Sequence, residues 1–258
     1  MLPYLQQLSD PILWMSVLLC ALSISTLLPA LLRWIFNWHP SETLGKGAFD
    51  AFKLVAPMAL LIFAFSLVRV QGDHRNVEDL VTKEAALVLK LDSALESFGD
   101  DLSENLREDL KNYVYSISAD EWPLMQKSQS SEDTANLLTD LTQGIRLLTP
   151  ENATQQMMRV EINVTLNQLT DVRQARLAAT KVKFPSYLYQ ALAASMATLV
   201  VLGWFQTPLS RMIIYVGGVT VGFSLLFVLL VQSSGIFIGD NRVTSTEFVK
   251  TTQQRLLY

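Results

Sequence analysis

Glu84 invites chemistry by its type and its place. It sits on an apolar stripe between Leu80-Val81 and Leu87-Val88, where a carboxylate needs a cation beside it. Arg173 and Arg176 are three apart, so on a helix they share a face and offer that cation. A cluster of Glu84, Arg173 and Arg176 has two readings: an ion pathway or gating contact, or a structural salt bridge inside a helical bundle. The residues alone leave both open.

A second constellation lies in the apolar run from Leu54 to Val68. Pro57 deprives the Lys53 carbonyl of its helical hydrogen bond and predicts a kink. Leu61, Phe65 and Arg69 stand four apart, as do Met58, Ile62 and Ser66. Either row could line a constriction, or face lipid, or pack against a neighbour. Gly218 with Gly222, and Ala193 with Ala197, are small-xxx-small pairs that let helices approach closely, within one chain or between chains.

Other chemistries lack their residues. No nucleophile stands with a base, no glycine loop is built to cradle phosphate, and no spacing suits a metal. His39 and His74 are the only histidines, far apart and without neighbouring cysteines, so no histidine metal centre is expected. The chain reads as a non-enzyme with no cofactor. Cys20 is the single cysteine, so no intrachain disulfide forms and the redox compartment is undetermined.

The elements that carry these residues are set by where the apolar residues fall. Half of the 258 residues are apolar, but Ile12 to Leu32, Phe184 to Ser210 and Met212 to Gly239 are strongly hydrophobic, with Arg33 and Arg211 at their edges. Each run meets the roughly 20 residues that a helix needs to cross a bilayer. A fourth run, Leu54 to Val68, reaches that length only with Ala48 to Lys53 added. The first span reads as retained rather than cleaved, since no Lys or Arg precedes it and no small-x-small site follows it. The expected fold class is all-α: a polytopic membrane protein with four transmembrane helices in two pairs and a helical bundle inserted between spans two and three. Its expected segments are a first hairpin at 1–70 (spans 12–32 and 48–70), a helical domain at 71–183, a second hairpin at 184–240 (spans 186–206 and 212–232) and a tail at 241–258.

A loop from Asn37 to Gly47 joins the first two spans, and Gly72-Asp73 marks the membrane exit. The insertion then reads as four helices. Val77 to Phe98 and Leu102 to Ile117 each carry an apolar stripe, the second stopping at Trp122-Pro123. Leu137, Leu138, Leu141, Ile145 and Leu148 make a third stripe. Thr149-Pro150-Glu151 caps and starts the fourth helix, which runs towards Lys183 and leads into the third span, broken or bent at Pro185. Stripes of this kind pack as an antiparallel bundle.

Charge divides unevenly. Asp73 to Glu151 holds 17 Asp and Glu against 7 Lys and Arg, a net of −10, whereas Asn152 to Lys183 is net +3. The acidic part excludes nucleic acid as a natural partner and is a surface on which a partner protein could dock. Arg69, Arg75, Lys83, Arg173, Arg176, Lys181, Lys183, Arg242 and Lys250 lie on the insertion side, against Arg33, Lys46, Lys53 and Arg211 on the other. That imbalance places the insertion and both termini in the cytoplasm. Asn152-Ala153-Thr154 and Asn163-Val164-Thr165 are then chance matches to a glycosylation pattern.

Glu84-Ala85, Tyr113 and Glu121-Trp122-Pro123, then Leu169, Arg173, Arg176 and Leu177, then Phe237, Gly239 and Val243 follow in an order and spacing that carry a resemblance. The chain resembles the bestrophin-like family of bacterial membrane proteins of unknown function over about Gly45 to Val249, and through it the bestrophins proper, which are oligomeric ion channels. One departure is Ser233-Ser234-Gly235-Ile236-Phe237, where the family usually has an acidic residue and a proline ahead of the phenylalanine. The resemblance implies a homo-oligomer in the lipid bilayer, with a pore along the second span and a cytoplasmic vestibule. Met58, Leu61, Ile62, Phe65 and Arg69 are then the neck candidates. The alternative is a non-conducting scaffold or accessory subunit whose acidic domain docks a partner. The acidic domain argues for cations, the resemblance for anions.

Overall fold

The computed structural model describes residues 10–37, 40–181, 185–205, 209–234, 237 and 243–256. Every regular element among them is helical. The chain divides into two compact units, Met1–Asp73 with Lys183–Asn241, and His74–Val182 with Arg242–Tyr258.

The first unit begins with α1 (Asp10–Leu22), which passes through a π turn at Ser23–Leu27 into α2 (Leu28–Phe36). Then comes α3 (Glu42–Phe98), whose first part belongs to this unit. The expected loop to Gly47 is shorter than its glycines suggest, because helix begins at Glu42 and takes in Gly45 and Gly47. Gly72 likewise does not end the helix. A mid-helix glycine costs only about 1 kcal/mol, and the strong helix formers that follow outweigh it, so the expected second span and first insertion helix form one 57-residue helix. Pro57 lies inside it without ending it.

Two further helices, α8 (Ser186–Trp204) and α9 (Leu209–Ser234), complete the first unit. Its core interlocks nine side chains: Phe52, Ala59, Phe63 and Val70 of α3 meet Leu192 and Leu199 of α8, and Val216, Phe223 and Leu230 of α9. Steps of seven and four keep a side chain on one face, so each helix offers a single seam. Phe63 and Phe223 tilt against each other with ring centroids 5.0 Å apart. Among the described residues, α3 and α8 are long and apolar enough to cross a membrane, and Trp14–Leu27 and Ile214–Leu230 are shorter apolar stretches.

The second unit holds the rest of α3, then α4 (Asp101–Ser116), a π turn (Ile117–Glu121), α5 (Trp122–Met125), α6 (Glu132–Arg146), α7 (Ala153–Ala179) and α10 (Thr246–Leu256). Gly99, at φ 73°, ends α3 in the left-handed conformation that glycine adopts without strain. Asp100 then caps α4 reciprocally with Ser103. The expected stop at Trp122-Pro123 does not occur. The wide π turn, in which the Trp122 N–H donates to the Ile117 carbonyl, puts Pro123 at the start of α5, where its missing N–H costs nothing. The start of α7 also moves: Asn152, rather than Thr149, caps it by accepting from the Gln155 N–H. The three expected apolar stripes turn inward in this unit, with Val88, Leu110 and Leu141 fully buried, and α7 adds Ile162.

Candidate functional site: a buried charge network and an exposed apolar row

Three segments deliver charge to the centre of the second unit. The α3 stripe carries Glu84 inward, fully buried. From α7 come Arg176, fully buried, and Arg173, nearly so. The π turn supplies Glu121, also fully buried. Arg176 donates from Nε to Glu84 Oε2 at 2.5 Å and from Nη2 to Glu84 Oε1 at 3.0 Å, a two-pronged grip. The same Nη2 donates to Glu121 Oε2 at 2.7 Å. Arg173 takes Glu121 from the other side, Nε to Oε2 at 3.3 Å and Nη2 to Oε1. The Tyr113 hydroxyl reaches Glu84 Oε1 at 3.4 Å, Arg176 Nη1 meets the Met125 sulfur at 2.6 Å, and the guanidinium lies 5.3 Å from the centre of the Trp122 ring.

Two carboxylates and two guanidiniums make the cluster formally neutral. Burial alone would lower the Arg176 pKa, but the charge and hydrogen bond of Glu84, with Glu121 behind them, hold it above the ordinary arginine value. Tyr113 is pushed well above the usual phenol range, first by burial and then by the Glu84 charge, against the pull of Arg176 and Arg173. This is the chemistry of a clamp: α3, the π turn and α7 are held in one register, and removing any charge strands another.

Of the residues singled out from sequence, Glu84 and Arg176 come together directly, while Arg173 reaches the cluster through Glu121. Glu121 as the shared acid is what sequence reasoning missed. A signal for it existed, since Leu106, Leu110, Tyr113, Ile117 and Glu121 keep helical spacing and so share one face. A second pair was also missed: Arg107 Nε donates to buried Asp92 Oδ1 at 2.9 Å, and that bond holds the Arg107 pKa above its ordinary value.

In the first unit the neck candidates divide. Met58, Leu61 and Phe65 are 68%, 56% and 67% exposed, and with Leu54 and Val68 they form an apolar strip on α3 away from its buried seam. Arg69 is exposed as well. Ile62 packs partly against the core, and Ser66 is buried with its hydroxyl on the Ile62 carbonyl. Pro57 is exposed, as are Ala193 and Ala197. Gly218 and Gly222 have open space where a side chain would stand. The close approach within this unit falls elsewhere, at Gly203, where a Cβ would stand 2.5 Å from Val216 Cγ2. Among the described residues no group of acidic, histidine or cysteine side chains could hold a metal. His39, Lys183, Arg242 and Gly235-Ile236 of the departing motif lie outside the described residues.

Apolar helices in one unit and an ion-clamped helical bundle in the other define a protein that is all-helical among its described residues. Residues 51–248 match the Bestrophin-like domain, and the chain belongs to that family, as the motif order from Glu84 to Val243 indicates. Its fold is similar to the crystal structure of a membrane protein bearing a proline-to-alanine substitution, with a TM-score of 0.68 at 13% identity over 95% of this chain and 97% of that one. It is also similar to a bacterial bestrophin homolog from Klebsiella pneumoniae bearing an isoleucine-to-threonine substitution, with a TM-score of 0.65 at 13% identity over 95% and 99%. Comparison with curated proteins finds no significant match.

Proposed function

We propose that this chain spans a cell membrane four times, assembles as a homo-oligomer, and conducts ions through a pore lined by the first part of α3. The observation that carries the reading is the uncharged strip Leu54, Met58, Leu61, Phe65 and Val68, exposed on a helix whose other side is buried. A strip of that size needs lipid or other copies of itself to cover it. Likeness to bestrophins proper, which are oligomeric ion channels, favours copies arranged round an axis. Equivalent Leu61 and Phe65 side chains from every subunit then make an apolar neck that blocks ions by dewetting. Gly218 with Gly222, and Ala193 with Ala197, are open small-residue faces on which neighbouring subunits pack. The second unit, on the cytoplasmic side with both termini, forms the vestibule.

Ion flux into proteoliposomes tests conduction. Leu61→Ala and Phe65→Ala widen the neck, and each is expected to raise flux above that of the native chain. Absence of flux from all three proteins, with the oligomer intact, would transfer the case to a scaffold whose acidic domain docks a partner. Orientation is tested separately with cysteines at Ser41 and Ser130, both exposed, in a Cys20→Ser background. In intact cells an impermeant reagent is expected to label position 41 and not position 130.

A further inference from the structure

After α9 the chain returns to the second unit, to which Val243 and α10 belong. Val243, Phe248 and Thr252 are buried there, the last two fully, while Thr244, Thr246, Lys250 and Thr251 are exposed. Phe248 and Thr252 stand four apart and so share one face of α10. The Thr252 hydroxyl donates back to the Phe248 carbonyl at 2.7 Å, so it is satisfied within its own helix. The segment is thus seated by an apolar ridge.

Its seat is Trp122, itself buried. The indole N–H donates to the Val243 carbonyl at 3.3 Å, and the ring lies 6.4 Å from that of Phe248. The Arg176 guanidinium lies 5.3 Å from the same ring. Trp122 also follows Glu121 directly, and its backbone N–H closes the π turn on the Ile117 carbonyl. One residue therefore touches the C-terminal segment and the charge clamp at once. The two attachments differ in strength. The clamp is made of buried charge-assisted hydrogen bonds, the seat of a long neutral hydrogen bond and apolar contacts. Regions held by few buried contacts open first. Helix α10 has 11 residues, and an isolated helix below about 12–15 residues is marginal in water. Off its seat it unfolds, so the segment has two states, seated and helical or released and unfolded.

We propose that residues 243–256 form a releasable strap, and that Trp122 transmits its seating to the charge clamp. Release takes Phe248 and the Val243 carbonyl away from the indole. The π turn that carries Glu121 then loosens its hold on Arg173 and Arg176. Trp122 is a positioning residue in this scheme, acting through Glu121 and Arg176. The device holds whether or not the chain conducts.

The test is amide hydrogen exchange, read by mass spectrometry on the full chain purified in detergent. In the native chain α10 is expected to exchange at least about tenfold faster than α6 of the same unit, because it opens first. Phe248→Ala removes the ridge and leaves Trp122 in place. It is expected to speed exchange in α10 about tenfold or more and across residues 117–125 about threefold or more, with α6 unchanged. Trp122→Phe keeps a ring but loses the N–H, and is expected to speed α10 about three- to tenfold, the worth of one hydrogen bond. It carries the same test if Phe248→Ala fails to fold. A synthetic peptide of residues 243–258, added in excess to Phe248→Ala, is expected to take the empty seat and restore protection across 117–125. The same peptide bearing Phe248→Ala is expected to restore none. One exchange rate shared by α10 and α6 in the native chain would overturn the proposal. So would residues 117–125 that stay protected while α10 opens, or equal rescue by both peptides.

Discussion

The two units satisfy buried polar groups in opposite ways. In the first, buried hydroxyls such as Ser66 bond to a carbonyl one turn back in the same helix. In the second, Glu84 and Arg176 find each other across 92 residues, and Arg173 and Glu121 across 52. Local satisfaction leaves a helix free to choose its neighbours by shape, as the apolar seam of Phe52, Ala59 and Phe63 does. Long-range satisfaction fixes register, because a slip of one residue on α7 would strand four buried charges. The second unit should therefore be brittle to single polar substitutions and the first tolerant of them.

The largest effect is expected from Arg176→Met, which leaves buried Glu84 without a cation and Glu121 with Arg173 alone. Losing one partner of a buried pair costs about 3–5 kcal/mol, and thermal unfolding followed by circular dichroism should show it as a marked fall in midpoint. Ser66→Ala and Ser195→Ala, which remove only back-bonds in the first unit, should stay within about 0.5 kcal/mol of the native chain. Next comes the wiring of the clamp. A double-mutant cycle on Glu84 and Arg176 should return a coupling near the upper end of the usual range, about 3 kcal/mol, and one on Glu84 and Arg173 a far smaller value. Equal couplings would mean that the cluster is a diffuse patch of charge.

Packing offers a smaller contrast. Gly203→Ala drives a Cβ against Val216, with Cγ2 at 2.5 Å and Cγ1 at 2.9 Å. Val216 is β-branched and stiff, so a cost of about 1–3 kcal/mol is expected from chemical denaturation. Gly144→Ala meets the tip of a flexible leucine, Leu106 Cδ2, and should cost less. Gly218→Ala meets nothing within the chain and should leave protomer stability unchanged or slightly raised. The smallest effect is one of pH. Folding raises the Tyr113 pKa above its ordinary 10.0, so the native state holds a proton that the unfolded chain releases. The resulting stability is full below about pH 10 and falls as pH rises past it. Tyr113→Phe should remove that slope from stability measured between about pH 9 and 11.

Sequence alone made the helical class and the buried face of the first three insertion helices legible, because apolar spacing reports burial directly. Glu84 stood out for the same reason, as a charge on a stripe. Glu121 did not, because Trp122-Pro123 reads as a helix end, and only the π turn carries the helical face through it. The merger of two expected helices into α3 was hidden by Gly72, whose local cost is real but small beside the helix formers around it. The exposed strip at Met58, Leu61 and Phe65 shows the limit of such reasoning, since one chain cannot reveal what covers an apolar surface.

What covers that strip is therefore the most direct question to put to the molecule. Single cysteines at Leu61, Phe65 and Leu60 in a Cys20→Ser background, treated with a short bis-maleimide in membranes, answer it. Leu60, 52% exposed but one position round the helix from Leu61, is the control. If α3 lines a shared axis, positions 61 and 65 join copies into covalent oligomers and position 60 does not. Failure of both 61 and 65 to join copies in an intact oligomer, with each instead modified by a reagent confined to the lipid phase, would contradict the pore.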